Sequence, residues 1–453
     1  MVEFRQIRRA ETPSARPAAR RPAIREGEFW FWTALFFFAT QPFQIAFYSI
    51  GADASQSPYM LWFRSALSFG LVIYGYGIRK LVLPFLAQAW PYWLFLASCA
   101  VFLVAAVDFH ISALALIFSF NNCIPLVILC CRLPAKSLMR ALVFLCAASA
   151  VLSLFTAVAL PGLGVMQGAD LDGADNAGNW RGIYVHKNIL GHMMGLCWPI
   201  LLYFGRRYLG LAPWLISLAA TALCLIKGHS SSGLVIAAVL TGLYILIIKP
   251  TGALRVILLC LFAAASGVVI SFRASIVDHI LGLLGKSADL SGRTDIWRVM
   301  SDLVFERPFT GFGFQYTSSK EMADLILRDF NVVSVHNAYL DNLINLGFPL
   351  TLLLLFAGAY PVVLSWLRPA PDLLGDMRGA GTLLALGGAI SGFSEAQVAK
   401  TSELNLMTLC GIFLVYKVCT IQRGIAIHKK TSWNRKLKLD FEAMRGFKGQ
   451  PST

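Results

Sequence analysis

Long uninterrupted apolar runs constrain this chain more than any other feature of it. Stretches of roughly 17 to 23 residues recur along its length, and at about 1.5 Å rise per residue each is long enough as a helix to cross a hydrocarbon core of about 30 Å. The runs lack the period-two alternation of barrel strands, so they read as helices. Composition agrees: 57% of the 453 residues are hydrophobic and 14% charged, which excludes an ordinary soluble domain. Spans are expected at about 29–50, 59–78, 90–107, 111–131, 138–160, 188–204, 211–226, 233–248, 256–271, 348–366, 381–393 and 404–419. The expected fold is an all-α polytopic membrane protein with about twelve transmembrane helices.

Charge placement orients these spans. The net charge of +15 sits at the ends and in short loops. A nucleic-acid partner would need that charge clustered on a folded domain, so none is expected. Arg79 and Lys80, then Arg132, Lys136 and Arg140, then Arg206 and Arg207, Lys249 and Arg255, and Arg368 and Arg378 mark one set of connections. The positive-inside rule makes that set cytoplasmic, together with both termini. Residues 1–27 then form a disordered basic cytoplasmic tail, 28–420 the transmembrane domain, and 421–453 a second basic cytoplasmic tail. The 161–186 loop and the large 272–335 segment face outward. The ten cysteines fall in or beside apolar runs without metal-ligand spacing to histidine, so they read as small core residues, with neither disulfide nor zinc expected.

The large segment has structure of its own. Ile296, Trp297, Met300, Leu303 and Val304 recur at helical spacing. They predict an amphipathic helix capped by Ser291 or Thr294, ended by Pro308, Gly311 and Gly313, and laid on the membrane surface or on the bundle. A second helix is expected from near Ser334, with His336, Leu340, Leu343 and Gly347 on one face and Asn337, Asp341 and Asn345 on an adjacent one.

Several polar residues are candidates for chemistry. In the first turn of that helix, His336 is placed to take a proton from a hydroxyl; the alternative is an interface histidine bonded to a loop carbonyl. Arg293 offers a planar fork for a phosphate or pyrophosphate, or a simple surface pairing with Asp295. Arg181, His186, Lys187 and Asn188 lie at the outer mouth of one span, and Lys227, Ser231 and Ser232 at another. Ionisable groups at such depth point to function, although both lysines could snorkel to the interface. Gly311-Phe312-Gly313 lacks the strand and helix context of a phosphate loop.

The ordered set Gly292-Arg293, Trp297, Pro308, Gly311, Gly313, His336-Asn337 and Gly347 resembles the O-antigen ligase and polysaccharide polymerase superfamily of bacterial inner membranes. His186-Lys187-Asn188-Ile189-Leu190-Gly191 is similar to the exopolysaccharide polymerases of the succinoglycan type. The resemblance implies an inverting glycosyl transfer on the periplasmic face of the inner membrane, without metal or other cofactor. The donor would be an undecaprenyl-pyrophosphate-linked glycan and the acceptor a glycan or a lipid-linked hydroxyl, with membrane lipids and a chain-length regulator as further partners. His336 matches the family's base and Arg293 the arginine that holds the donor pyrophosphate, with Asn337, Arg181, His186, Lys187, Asn188, Lys227, Ser231 and Ser232 as substrate-binding candidates. Two departures stand out: Ser231 and Ser232 occupy the place of a second family arginine, and Leu350 replaces a small or hydroxyl residue after Gly347. Both weigh toward polymerisation and against ligation to the lipid A core. A transporter or flippase would also carry about a dozen spans, but it would place ionisable groups near mid-membrane.

Overall fold

The computed structural model describes residues 24–39, 58–168, 176–248, 257, 293–330, 335–368, 370, 372–395 and 403–447. Helices supply nearly all regular structure there, with one isolated bridge between Val165 and Trp180. In chain order these are α1 (Glu26–Ala39), α2 (Pro58–Gly77), α3 (Arg79–Gln88), α4 (Trp90–Phe102), α5 (Phe109–Arg132), α6 (Ala135–Ala159) and α7 (Lys187–Ile200). There follow α8 (Leu211–Lys227), α9 (Ser231–Leu243), α10 (Arg293–Glu306), α11 (Lys320–Phe330), α12 (Ala338–Trp366), α13 (Asp372–Ser391) and α14 (Glu403–Phe447).

Among the described residues five helices are long and apolar enough to cross a membrane: α5, α6, α7 prolonged to Leu209, α12, and Leu404–His428 within α14. A sixth span results if Ser65–Gly77 and Arg79–Gln88, bent by 105°, are taken together. Trp90–Ala105, Leu211–Lys227 and Ser231–Leu246 are apolar but shorter. The all-α, multi-pass expectation therefore holds. Of the twelve expected spans, the one at 256–271 lies outside the described residues except for residue 257, as does the second half of the first.

Close approach between helices comes from small residues, which let backbones pack tightly where apolar surface alone gives no drive to associate. At the crossing of α7 and α9, a Cβ on Gly233 would lie 2.4 Å from the Gly191 carbonyl oxygen, and one on Gly191 would lie 2.2 Å from the Ser230 Cβ. That crossing brings the first turns of the two helices side by side.

The large loop forms a second, smaller core. Ile296, Met300 and Val304 of α10 pack with Met322 and Ile326 of α11, Val335, and Ile344 of α12. The amphipathic helix thus lies on the bundle. It starts at Arg293, while Ser291 lies outside the described residues. Two boundaries differ from expectation. The helix predicted from near Ser334 begins at Ala338, because Asn337 is the better cap: its Oδ1 accepts from the Tyr339 and Leu340 amides at 3.0 and 3.1 Å. At the other end, α14 runs on to Phe447 through residues expected as a tail, since that basic stretch contains good helix formers and no proline.

Gly347 breaks α12 with φ +69°. The break frees the Ile344 carbonyl from the Phe348 amide, and Pro349 has no amide to offer Asn345. The turn after α10 meets these needs. Phe312 N donates to Ile344 O at 2.9 Å, Gly313 N to Asn345 O at 3.0 Å, and Phe348 N to Pro308 O at 2.7 Å. Gly311 has to be glycine here, because at φ +63° a Cβ would lie 2.4 Å from the Asn345 carbonyl carbon.

Candidate active site

The break and its stitched turn hold the upper part of α12 in place, and with it the residues just before the helix. Asn345 and Asp341 face the loop: Asn345 Oδ1 accepts from Thr317 N at 2.9 Å, and the Thr317 hydroxyl donates to Asp341 Oδ1 at 2.6 Å. Trp297 of α10 donates from Nε1 to the Val335 carbonyl at 2.9 Å. The Ala338 amide donates to Gly392 O, just past α13, at 2.7 Å. Between these anchors His336 sits in the left-handed region at φ +51°. A side chain with a Cβ pays for that conformation with about 1–2 kcal/mol, so three flanking contacts are what keep it there.

His336 is the residue ahead of the cap, and its ring points at a carboxylate that sequence reasoning missed. Nδ1 lies 3.5 Å from Glu395 Oε2, ion-pair distance without hydrogen-bond geometry, and both side chains are largely buried. The other carboxylate oxygen, Oε1, accepts from Asn188 Nδ2 at 3.1 Å. Asn188 belongs to the first turn of α7, where His186 is the cap: its Nδ1 accepts from the Asn188 amide at 3.2 Å. A chain of contacts therefore runs from His186 through Asn188 and Glu395 to His336.

One turn along α7 lies a histidine that the sequence analysis did not single out. His192 is fully buried; Nε2 is 2.6 Å from Ser232 Oγ and 3.4 Å from Ser394 Oγ, and Nδ1 is 2.7 Å from Ser391 Oγ. Ser230 caps α9 and lies 3.2 Å from the Ser232 hydroxyl. The structure thus gathers His186, Asn188, Ser232, His336 and Asn337 at one end of the bundle, with Glu395, His192, Ser391 and Ser394 between them. In the sequence, the hints of the missed set were Ser391-Gly392-Phe393-Ser394-Glu395 at the end of a short apolar span and His192 inside another.

Other candidates are placed differently. Arg181 is buried, and its guanidinium donates to the Leu163 carbonyl at 2.8 Å and to that of Gly162 at 3.4 Å, tying down the turn after α6. Lys227 ends α8 and is exposed, with its carbonyl accepting from Trp180 N at 3.1 Å. Lys187 and Ser231 open α7 and α9, half-buried. Arg293 opens α10 one turn before Trp297, and its side chain lies outside the described residues. Among the described residues no three His, Cys, Asp or Glu side chains converge as a metal set.

Chemically, this arrangement offers an imidazole backed by a carboxylate beside several hydroxyl and amide groups. That is the equipment for moving a proton and orienting a polar substrate. Residues 216–355, which run from α8 to the middle of α12, match the family described as O-antigen ligase. Over that stretch the chain is similar to the O-antigen ligase family. Within the match lie Lys227, Ser231, Ser232, Arg293, His336 and Asn337, while His186, Asn188, His192 and Glu395 lie outside it. No curated protein matches the chain. The match indicates a function of the ligase or polymerase type, and the long apolar helices indicate a multi-pass membrane protein.

Proposed function

We propose that this protein polymerises an exopolysaccharide or O-antigen on the periplasmic face of the inner membrane, from an undecaprenyl-pyrophosphate-linked glycan. The observation that carries the reading is the His336–Glu395 pair, with 3.5 Å between Nδ1 and Oε2. With substrate bound, Glu395 Oε2 accepts a hydrogen bond from Nδ1 and leaves Nε2 for the acceptor hydroxyl. Such contacts are often long before substrate binds and tighten around it. The hydroxyl oxygen then attacks the anomeric carbon from the face opposite the pyrophosphate. The new glycosidic bond forms as the bond to pyrophosphate oxygen breaks, with inversion, and the hydroxyl proton passes to His336.

Pyrophosphate is a good leaving group, so positive charge near it and alignment of two lipid-tethered glycans supply most of the remaining acceleration. Arg293 is the proposed partner of the pyrophosphate through its bidentate fork, with Lys187 and Lys227 at the same end of the bundle. Asn337 and Asn188 position the base and its carboxylate, and Ser231 and Ser232 line the sugar side. Polymerisation is preferred to ligation onto lipid A core because Ser231 and Ser232 stand where a second family arginine belongs. The proposal includes about twelve spans, cytoplasmic termini, an outward 272–335 segment, independence of metal, and a chain-length regulator as partner.

The test is transfer in vitro from purified donor lipid to the acceptor, with divalent metals chelated. His336→Asn is the chosen variant, since asparagine tolerates a positive φ and leaves the backbone unstrained. Turnover should fall by a factor on the order of 10² to 10⁴ with the fold intact. Normal turnover by that variant, or loss of wild-type turnover on chelation, would overturn the histidine-base reading.

A further inference from the structure

The imidazole of His192 joins α7 to both α9 and α13. The ring is fully buried inside the candidate span that begins at Lys187, where an ionisable side chain is costly unless it is partnered. Its partners are hydroxyls. Ser391, at the end of α13, lies 2.7 Å from Nδ1, and Ser232, in the first turn of α9, lies 2.6 Å from Nε2. A hydroxyl donates or accepts, so a neutral ring is satisfied in either tautomer. With both nitrogens engaged inside the bundle, His192 is not placed to take a proton from a substrate.

What the ring fixes is Ser391, and the turn that carries Glu395 hangs from that serine. The Ser391 carbonyl accepts from the Ser394 amide at 3.0 Å, the Glu395 amide at 3.1 Å and the Ser394 hydroxyl at 3.3 Å. One residue on, the Gly392 carbonyl takes the Ala338 amide, which ties the same turn to α12, the helix that His336 precedes. From this turn Glu395 Oε2 reaches to 3.5 Å from His336 Nδ1. An apolar side chain in place of the imidazole would carry no desolvation cost, but it would not orient the serine, because hydrogen bonds are directional and apolar contacts are not.

We propose, on the reading that His336 is the base, that His192 is a positioning residue for the transfer: through Ser391 it sets the turn from which Glu395 meets the catalytic ring. It touches neither substrate nor the reacting atoms.

The experiment is steady-state transfer from purified donor lipid by the full-length protein in detergent. An asparagine amide can stand in for Nδ1 and a glutamine amide for Nε2, since each lies as many bonds from the backbone as the nitrogen it replaces. His192→Asn should therefore keep the bond to Ser391 and a kcat close to that of the wild type. His192→Gln should lower kcat about tenfold with KM little changed, the scale of losing a partner that orients a functional group. In a Glu395→Ala background His192→Gln should cost nothing further, because no carboxylate remains to be positioned. If His192→Gln does not fold, Ser391→Ala removes the same bond from the other side and takes its place in the cycle. Equal losses in the asparagine and glutamine variants, or a loss by His192→Gln that multiplies with that of Glu395→Ala, would refute the positioning role while His336→Asn stays inactive. Normal turnover by His336→Asn would instead overturn the base reading, and this role with it.

Discussion

His336 combines two costs that an inert residue would have been free to avoid: a left-handed backbone at φ +51° and a largely buried ring 3.5 Å from a buried carboxylate. Backbone strain of this kind persists where the surroundings over-determine it, and here Trp297, the Asn337 cap and the Ala338 amide do so. In the proposed mechanism Glu395 is a positioning residue, acting on substrate only through the imidazole. Glu395→Gln keeps the shape and an oxygen for the Asn188 amide but removes the charge behind the ring. Steady-state kinetics of that variant should show kcat lowered roughly 10- to 100-fold, the usual scale for losing a partner that orients a functional imidazole, with KM little changed. A raised KM at normal kcat would mean that Glu395 binds the glycan instead. His336 was legible from its motif. Glu395 was not, because nothing local to the segment after α13 says that it folds back against the start of α12 and α7.

At the scale of elements, the break in α12 and the turn after α10 are one device. Each provides the backbone partners that the other lacks, and each glycine is pressed against the other's segment: a Cβ on Gly311 would lie 2.4 Å from the Asn345 carbonyl and one on Gly347 only 2.8 Å from the Pro308 oxygen. Gly311→Ala forces both a close contact with the Asn345 carbonyl and a strained φ. Its cost should be about 2–4 kcal/mol, the sum of overpacking and left-handed strain. Gly178→Ala is the control, since Gly178 has φ +85° but open space around it, and should cost only about 1–2 kcal/mol of strain. Denaturant unfolding of the two variants in detergent separates the effects. Equal stabilities would mean that the stitched turn gives way freely and does not hold α12. The glycines and Pro308 were visible in the sequence as helix-ending punctuation, but their pairing across the loop was not.

For the whole molecule, the side of the membrane that the site faces decides between periplasmic and cytoplasmic chemistry. The positive-inside rule predicts that the Arg206–Arg207 turn is cytoplasmic and the 272–335 segment outside. Exposed residues allow a clean test, because the nine described cysteines are buried and give little background labelling. A membrane-impermeant maleimide should modify Ser318→Cys, which lies on the exposed turn before α11, in intact spheroplasts. Arg206→Cys should react only after the membrane is opened. The reverse pattern would put His336 on the cytoplasmic side and exclude periplasmic polymerisation.

The class of the molecule is written in its one-dimensional pattern: apolar runs of spanning length specify helices and a membrane, and basic connections bias which way they cross, because both depend only on local composition against lipid and water. The amphipathic helix over α10 and the histidine of the loop are local in the same sense. What only the tertiary structure decided is who stands beside that histidine. Asn188, His192, Ser232, Ser391 and Glu395 come from three regions of the chain, and they meet because Gly191 and Gly233 let α7 and α9 pack backbone to backbone while the Ala338 amide ties α12 to the end of α13. No periodicity records such contacts, since their cause is the fit between distant surfaces.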